Sequence, residues 1–204
     1  GLRIASPSTV ALNGLESHRE QLMEIDNLLI LGCGTSGYAG ELGAIYLRML
    51  QAVSQVYTID ASEFKPRDIP LEGKTAILVL SQSGETKDVD RAIDIAEKHS
   101  LMVISVVNVM GSLIPRRADC GVYINAGREV GVASTKSFTC QVVVMALIAI
   151  WFSQNKSTQK TLREKFIKSI KQLPLDVNTI CNSCIGVCKQ IVDFCQEKTC
   201  LGLF

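Results

Sequence analysis

A chain of 204 residues, 47% apolar and 20% charged, has room for one full α/β domain plus an appendage and enough apolar surface for a core, which excludes a disordered tail as the main reading. Lys and Arg number 21 against 20 Asp and Glu, a formal charge of +1, so composition gives no footprint for nucleic acid. The longest apolar run, 142–152, is roughly half of the ~20 residues a membrane span requires and reads as a buried helix.

The chain opens on Gly1-Leu2-Arg3-Ile4, without an initiator Met or a secretory signal, and reads as a fragment. His18 falls in an N-terminal helical region. Five apolar, β-rich runs follow at 28–31, 53–59, 75–80, 101–107 and 122–125, most of them ending in a glycine or serine cluster or at an Asn. Between them, 37–50 carries Leu42, Ile45, Tyr46 and Met49 at helical spacing, and 88–99 carries Val89, Ala92, Ile93 and Ala96. Strands alternating with helices predict an α/β fold, a three-layer αβα sandwich around a five-stranded parallel sheet. Pro66 and Pro70 limit 60–73 to a short helix and a loop.

After Val132 a long apolar helix runs to about Ser153. A lysine-rich helix over 158–171 ends near Pro174, and a further helix spans 175–196, together a helical extension. Residues 199–204 begin another strand, which predicts a division into 1–154, a helical connector 155–198, and the start of a second domain at 199–204. The eight cysteines sit in apolar segments and point to a reducing, cytosolic setting. Cys181, Cys184, Cys188 and Cys195 share one helical face, which predicts core packing rather than a metal site. Cys120 and Cys140 read as small apolar residues.

In an open parallel sheet, ligands bind beyond the carboxyl ends of the strands. Gly32-Cys33-Gly34-Thr35-Ser36-Gly37 follows the first run and opens a helix, where bare amides and the helix dipole favour an anion. Gly32, Gly34 and Gly37 also meet dinucleotide spacing, with Asp60 ending the second run, so a nucleotide remains an alternative. Ser81-Gln82-Ser83-Gly84-Glu85-Thr86 ends the third run. Three hydroxyls and an amide there can donate to several phosphate oxygens without a metal, whereas an N-cap would account for only one hydroxyl. A third loop, 126–136, brings Ser134, Thr135 and Lys136 to the start of a helix as caps or ligand contacts. Neutral donors around one phosphate suit a phosphorylated sugar. His18 and His99 read as surface residues, and Glu85 and Glu129 are the only carboxylates in the ligand loops, so no convincing acid and base pair is visible.

Together, Cys33-Gly34-Thr35-Ser36, the string from Ser81 to Thr86 and Gly131-Val132-Ala133-Ser134-Thr135-Lys136 resemble the sugar-isomerase (SIS) modules of the glutamine:fructose-6-phosphate amidotransferase family, specifically the first of the two. Leu12-Asn13-Gly14-Leu15, Asn108 with Gly111-Ser112, and the stretch from Asp119 to Gly127 match as well. The resemblance implies an enzyme that hydrolyses glutamine, channels ammonia and makes glucosamine 6-phosphate from fructose 6-phosphate, without a cofactor or metal. By motif, Ser81, Gln82, Ser83 and Thr86 hold the phosphate, while Cys33, Gly34, Thr35, Ser36, Val132 and Ser134 line the sugar. The family's catalytic residues belong to its second module, its tail and a neighbouring subunit, so the resemblance assigns none here. It implies as partners fructose 6-phosphate or glucosamine 6-phosphate, the missing glutaminase and second SIS domains, and further copies in a homo-oligomer, and excludes nucleic acid and membrane.

Three departures stand out. Arg128 replaces the proline of an Ala-Gly-Pro-Glu turn, and Gly37-Tyr38 replaces a frequent Tyr-His. Tyr123 occupies a position where many eukaryotic members that bind a UDP-amino-sugar inhibitor carry histidine, which counts against such feedback. The competing readings are a free-standing single-SIS phosphosugar isomerase and a phosphosugar-sensing regulatory module, for which no basic recognition helix is visible.

Overall fold

In the computed structural model, which describes residues 2–130 and 134–196, each of the five apolar runs forms one strand of a parallel sheet. They are preceded by an antiparallel hairpin of β1 (Leu2–Ser6) and β2 (Thr9–Leu12) and two short helices, α1 (Asn13–Glu16) and α2 (Arg19–Met23). The alternation runs β3 (Asn27–Gly32), α3 (Thr35–Met49), β4 (Gln55–Asp60), β5 (Thr75–Ser81), α4 (Lys87–Lys98), β6 (Met102–Val107), α5 (Leu113–Arg117) and β7 (Cys120–Tyr123). Then come α6 (Lys136–Asn155) and α7 (Lys160–Cys195). The sheet order is β4-β3-β5-β6-β7, parallel throughout.

The central strands are apolar at successive positions because both sheet faces are covered. On one face, Leu29, Leu31, Ile77, Val79, Val103 and Val107 pack against Val89, Ala92, Ile93 and Ala96 of α4. Ala61 and Phe64, from the connection between β4 and β5, join the same cluster. That connection holds only a 3₁₀ turn, Pro66–Asp68, as its prolines require. The other face is covered by α3 and α6, which run close together with Met145 against Gly43. From Val144 to Ser153 every residue of α6 is buried, so this helix, long and apolar enough by composition to cross a membrane, is a core helix of the domain. Trp151 is fully buried and donates through Nε1 to Glu16 Oε1 at 2.8 Å.

The chain divides into two compact units, one ending at Ile167 and the other starting at Lys168. Two expectations fail in the second. The helix does not stop near Pro174 but runs through it. A proline there removes one backbone hydrogen bond, and on an exposed stretch water can satisfy the carbonyl one turn back, so the flanking turns persist. The cysteine face is not core: Cys181, Cys184 and Cys188 are exposed and Cys195 is half-buried. The side chains beside them, Ile180, Val187 and Ile191, are exposed too, so shared helical spacing does not bring burial within the described residues. The strand expected at 199–204 lies outside the described residues.

Brief alkylation of the native chain with iodoacetamide near about pH 8 is therefore expected to modify Cys181, Cys184 and Cys188 first, because the thiolate reacts and needs access. Cys120 is buried, and burial followed by the nearby Asp119 charge pushes its thiol up to about 12. Peptide mass spectrometry showing Cys120 labelled as fast as Cys184 would contradict the packing described.

Candidate functional site

Connections leave β3 toward β4 on one side and return to β5 on the other, so the crevice between the carboxyl ends of β3 and β5 is where strand order reverses. Open parallel sheets leave such a crevice unfilled by crossovers. The loops at 32–37 and 81–86 flank it.

In the first loop, Gly34 is exposed at φ +55° and ψ −129°, outside the ordinary range of L-residues, and precedes α3 with no side-chain cap on that helix. The first-turn amides of α3 are thereby left to an outside acceptor. Thr35 is half-buried at the helix start. Ser36 is buried, and its Oγ accepts from Gln141 Nε2 of α6 at 2.9 Å. Cys33 is half-buried against the core cluster on the α4 side, and burial, then the charge of Asp60, push its thiol up.

The second loop is wired internally. Ser81, 1% exposed, accepts from Gly84 N at 3.0 Å and meets Thr86 Oγ1 at 2.8 Å. Either hydroxyl of this pair can be the donor, since each carries one proton and two lone pairs. Ser83 Oγ accepts from Glu85 N at 3.2 Å and likewise retains its own proton. Thr86 precedes α4 without a side-chain cap bond, so its hydroxyl is not consumed as an N-cap. Gln82 is half-buried beside them. Glu85 turns outward: its Oε1 accepts from Leu113 N at the start of α5 at 2.8 Å, while Gly84 O accepts from Ile114 N at 3.0 Å.

The third loop is spliced to the end of β6 by Asn108, whose Nδ2 donates to Gly127 O at 2.7 Å and whose Oδ1 accepts from Ala126 N at 2.9 Å. Glu129 accepts from Thr135 Oγ1 at 3.1 Å and from Ser137 N at 3.0 Å. Ser137 at the start of α6, then Thr135, hold its carboxyl below the usual range. Ser134 Oγ is buried and has no hydrogen-bond partner among the described residues. Val132, expected to line the sugar, lies outside the described residues.

Both loop carboxylates are thus engaged at helix starts, and neither histidine comes near: His18 precedes α2 and His99 ends α4, the far end from Thr86. Gln141 was not anticipated. Its signal is a lone amide just ahead of the apolar run 142–152. Gly32, Gly34 and Gly37 border a cleft of about 140 Å³ whose other walls include Glu41 and Asp60. A wider groove of about 790 Å³, bordered by Lys74, Met102, Arg117 and Asp119, lies at the amino ends of the strands. Its cations are paired, Lys74 with Glu24 and Arg117 with Asp90, Asp94 and Glu97.

The sequence profile of the SIS domain matches residues 21–151. Over 86% of this chain, identity is 37% to a probable glutamine--fructose-6-phosphate aminotransferase [isomerizing] of Acanthamoeba polyphaga mimivirus, and over 82% it is 34% to the human enzyme 2 of that name. The chain spans only 28% and 24% of those two relatives. Among solved structures, the C-terminal domain of the glucosamine-fructose-6-phosphate aminotransferase from Francisella tularensis superposes with a TM-score of 0.81 at 26% identity, covering 95% of this chain and 54% of that one.

Proposed function

Because the chain belongs to the SIS-domain family, we propose that it is the phosphosugar-binding first SIS module of an enzyme making glucosamine 6-phosphate from fructose 6-phosphate and glutamine. The observation carrying this reading is the loop 81–86: at the reversal of strand order it gathers the hydroxyls of Ser81, Ser83 and Thr86 beside the uncapped start of α4. In this reading Gln82, Ser83 and Thr86 contact the phosphate and Ser81 holds the loop to them. Cys33, Gly34, Thr35, Ser36, Val132 and Ser134 line the sugar.

Glu85 and Glu129 each accept a helix-start amide, which suits them to holding their loops in place. In this reading the chain binds phosphosugar while, as the family resemblance implies, isomerisation is completed by residues of a second SIS module, entered after the connector 155–198, and of a neighbouring copy. The setting is cytosolic, and Tyr123 argues against control by a UDP-amino-sugar. Robust isomerisation by the isolated chain would contradict this.

Titration calorimetry with fructose 6-phosphate beside unphosphorylated fructose tests the assignment. Heat is expected from the ester alone, and Ser83→Ala should weaken it by about tenfold to a hundredfold, the loss of one hydrogen bond to a charged group. Absent heat for both sugars, or equal heat, would defeat it.

A further inference from the structure

We infer that Gln141 is a positioning residue for the first ligand loop: its buried side-chain amide, on the second turn of α6, holds the Ser36 hydroxyl and through it the start of α3. This inference rests on the phosphosugar reading, in which Ser36 lines the sugar. Gln141 is fully buried and Ser36 is 7% exposed. The amide places Nε2 at 2.9 Å and Oε1 at 3.3 Å from Ser36 Oγ, so the hydroxyl can accept from the one or donate to the other. A buried amide costs free energy unless it is hydrogen-bonded, and α6 is wholly apolar from Val144 to Phe152, so an aliphatic side chain would fill this place at lower cost. What the amide adds is direction.

The start of α3 needs a hold from outside. It has no side-chain cap, and Gly34 before it sits at φ +55°. Further along the two helices, Gly43 lies against Met145, where an added Cβ would stand 2.9 Å from Met145 Cβ. That apolar contact sets how close the helices come, while the hydrogen bond between Ser36 and Gln141 sets the register of their starts. A loop ordered before the ligand arrives costs less to order on binding. Among the described residues Gln141 makes no bond to the phosphate loop 81–86, which is clasped instead to α5, with Glu85 accepting from Leu113 N and Gly84 O from Ile114 N. The two ligand loops are thus held by different helices, the sugar side by α6 and the phosphate side by α5.

In calorimetry on the full chain, Gln141→Leu, similar in volume without the amide, should weaken fructose 6-phosphate by about tenfold while changing inorganic phosphate by less than about twofold. Because the effect runs through Ser36, adding Gln141→Leu to Ser36→Ala should weaken the sugar ester by less than about twofold further. A packing role would act in both backgrounds alike. Gln141→Met, a flexible side chain of similar length, repeats the comparison if Leu prevents folding. Amide hydrogen exchange, read without ligand, should speed up by about tenfold in Gln141→Leu at Tyr38, whose N donates to Gly34 O at 3.1 Å, and stay unchanged at Gly84, whose N donates to Ser81 Oγ.

Equal loss of fructose 6-phosphate and phosphate would overturn the inference, as would a tenfold loss that persists in the Ser36→Ala background, unchanged exchange at Tyr38, or failure of both Gln141 variants to fold. If the unaltered chain bound neither compound, the phosphosugar reading would fall and with it the role toward sugar. The exchange at Tyr38 would then still decide whether Gln141 holds the start of α3.

Discussion

Gly84→Ala is expected to abolish phosphosugar binding and to destabilise the domain by about 2–4 kcal/mol. Two effects add. Gly84 sits at φ +69°, where a Cβ costs about 1 kcal/mol. A Cβ built there also falls 1.9 Å from Ser112 Oγ and 2.7 Å from Ser112 Cβ. Ser112 cannot easily retreat, since it is buried and its hydroxyl donates to Val109 O at 2.7 Å. The backbone of 81–86 must move instead, breaking the Gly84 N to Ser81 Oγ bond and disturbing the Ser81 to Thr86 contact beside it.

Thermal unfolding should show a midpoint lower by about 5–15 °C, at about 2–4 °C per kcal/mol for a domain of this size. Adding Ser112→Gly removes the collision but not the backbone strain, so the double variant should regain most of the stability and part of the binding. If Gly84→Ala bound fructose 6-phosphate like the unaltered chain, the loop would not be the phosphate site.

The parts of this molecule that were legible in its sequence are those whose cause is local. Strands buried on both faces must be apolar at consecutive positions, so 28–31, 75–80 and 101–107 announced themselves, and each strand was found within a few residues of its expected bounds. Glycine and hydroxyl clusters after strands were equally visible. What escaped depends on neighbours distant in the chain. Nothing near Ser36 announces Gln141, 105 residues away, and nothing in Glu85 shows that its partner is the amide of Leu113. The two loop carboxylates stand out in the sequence only by their position, and their partners lie beyond what it shows.

The N-terminal hairpin escaped for a related reason. Leu2–Ser6 and Thr9–Leu12 are short, and a two-stranded ribbon is marginal alone. It is held by α6: Gln154 donates through Nε2 to Val10 O and accepts from Val10 N through Oε1, both at 2.8 Å, like an added strand residue. In the second unit the reverse error arose. Regular spacing of Cys181, Cys184 and Cys188 defines a face, but burial requires a surface to cover it, which spacing does not supply.

Arg163→Ala should produce the largest loss of stability that leaves the ligand loops intact, about 2–4 kcal/mol, because it strands buried acceptors rather than a surface charge. Arg163 is 6% exposed and donates through Nη1 to Ser153 O at 3.0 Å and to Thr158 O, and through Nε to Ser8 O at 3.2 Å. One guanidinium thereby serves the carboxyl end of α6, the turn into α7 and the hairpin, and its charge complements the negative end of the α6 dipole.

The same turn is tied to α3 through Thr158 Oγ1, which donates to Leu50 O at 2.9 Å, so its loosening reaches the pair of helices that covers one sheet face. The ligand loops meet α6 at its other end, about 30 Å away along 20 residues at 1.5 Å each. Urea unfolding should therefore show a lower midpoint for Arg163→Ala, and Arg163→Lys, whose donors all sit on one nitrogen and lack the guanidinium's spread, should recover only part of the loss. Fructose 6-phosphate affinity measured on the folded variant should stay within about twofold. A stability loss under about 1 kcal/mol would mean that water replaces the guanidinium at these carbonyls, and a parallel loss of affinity would mean that the two ends of α6 are coupled.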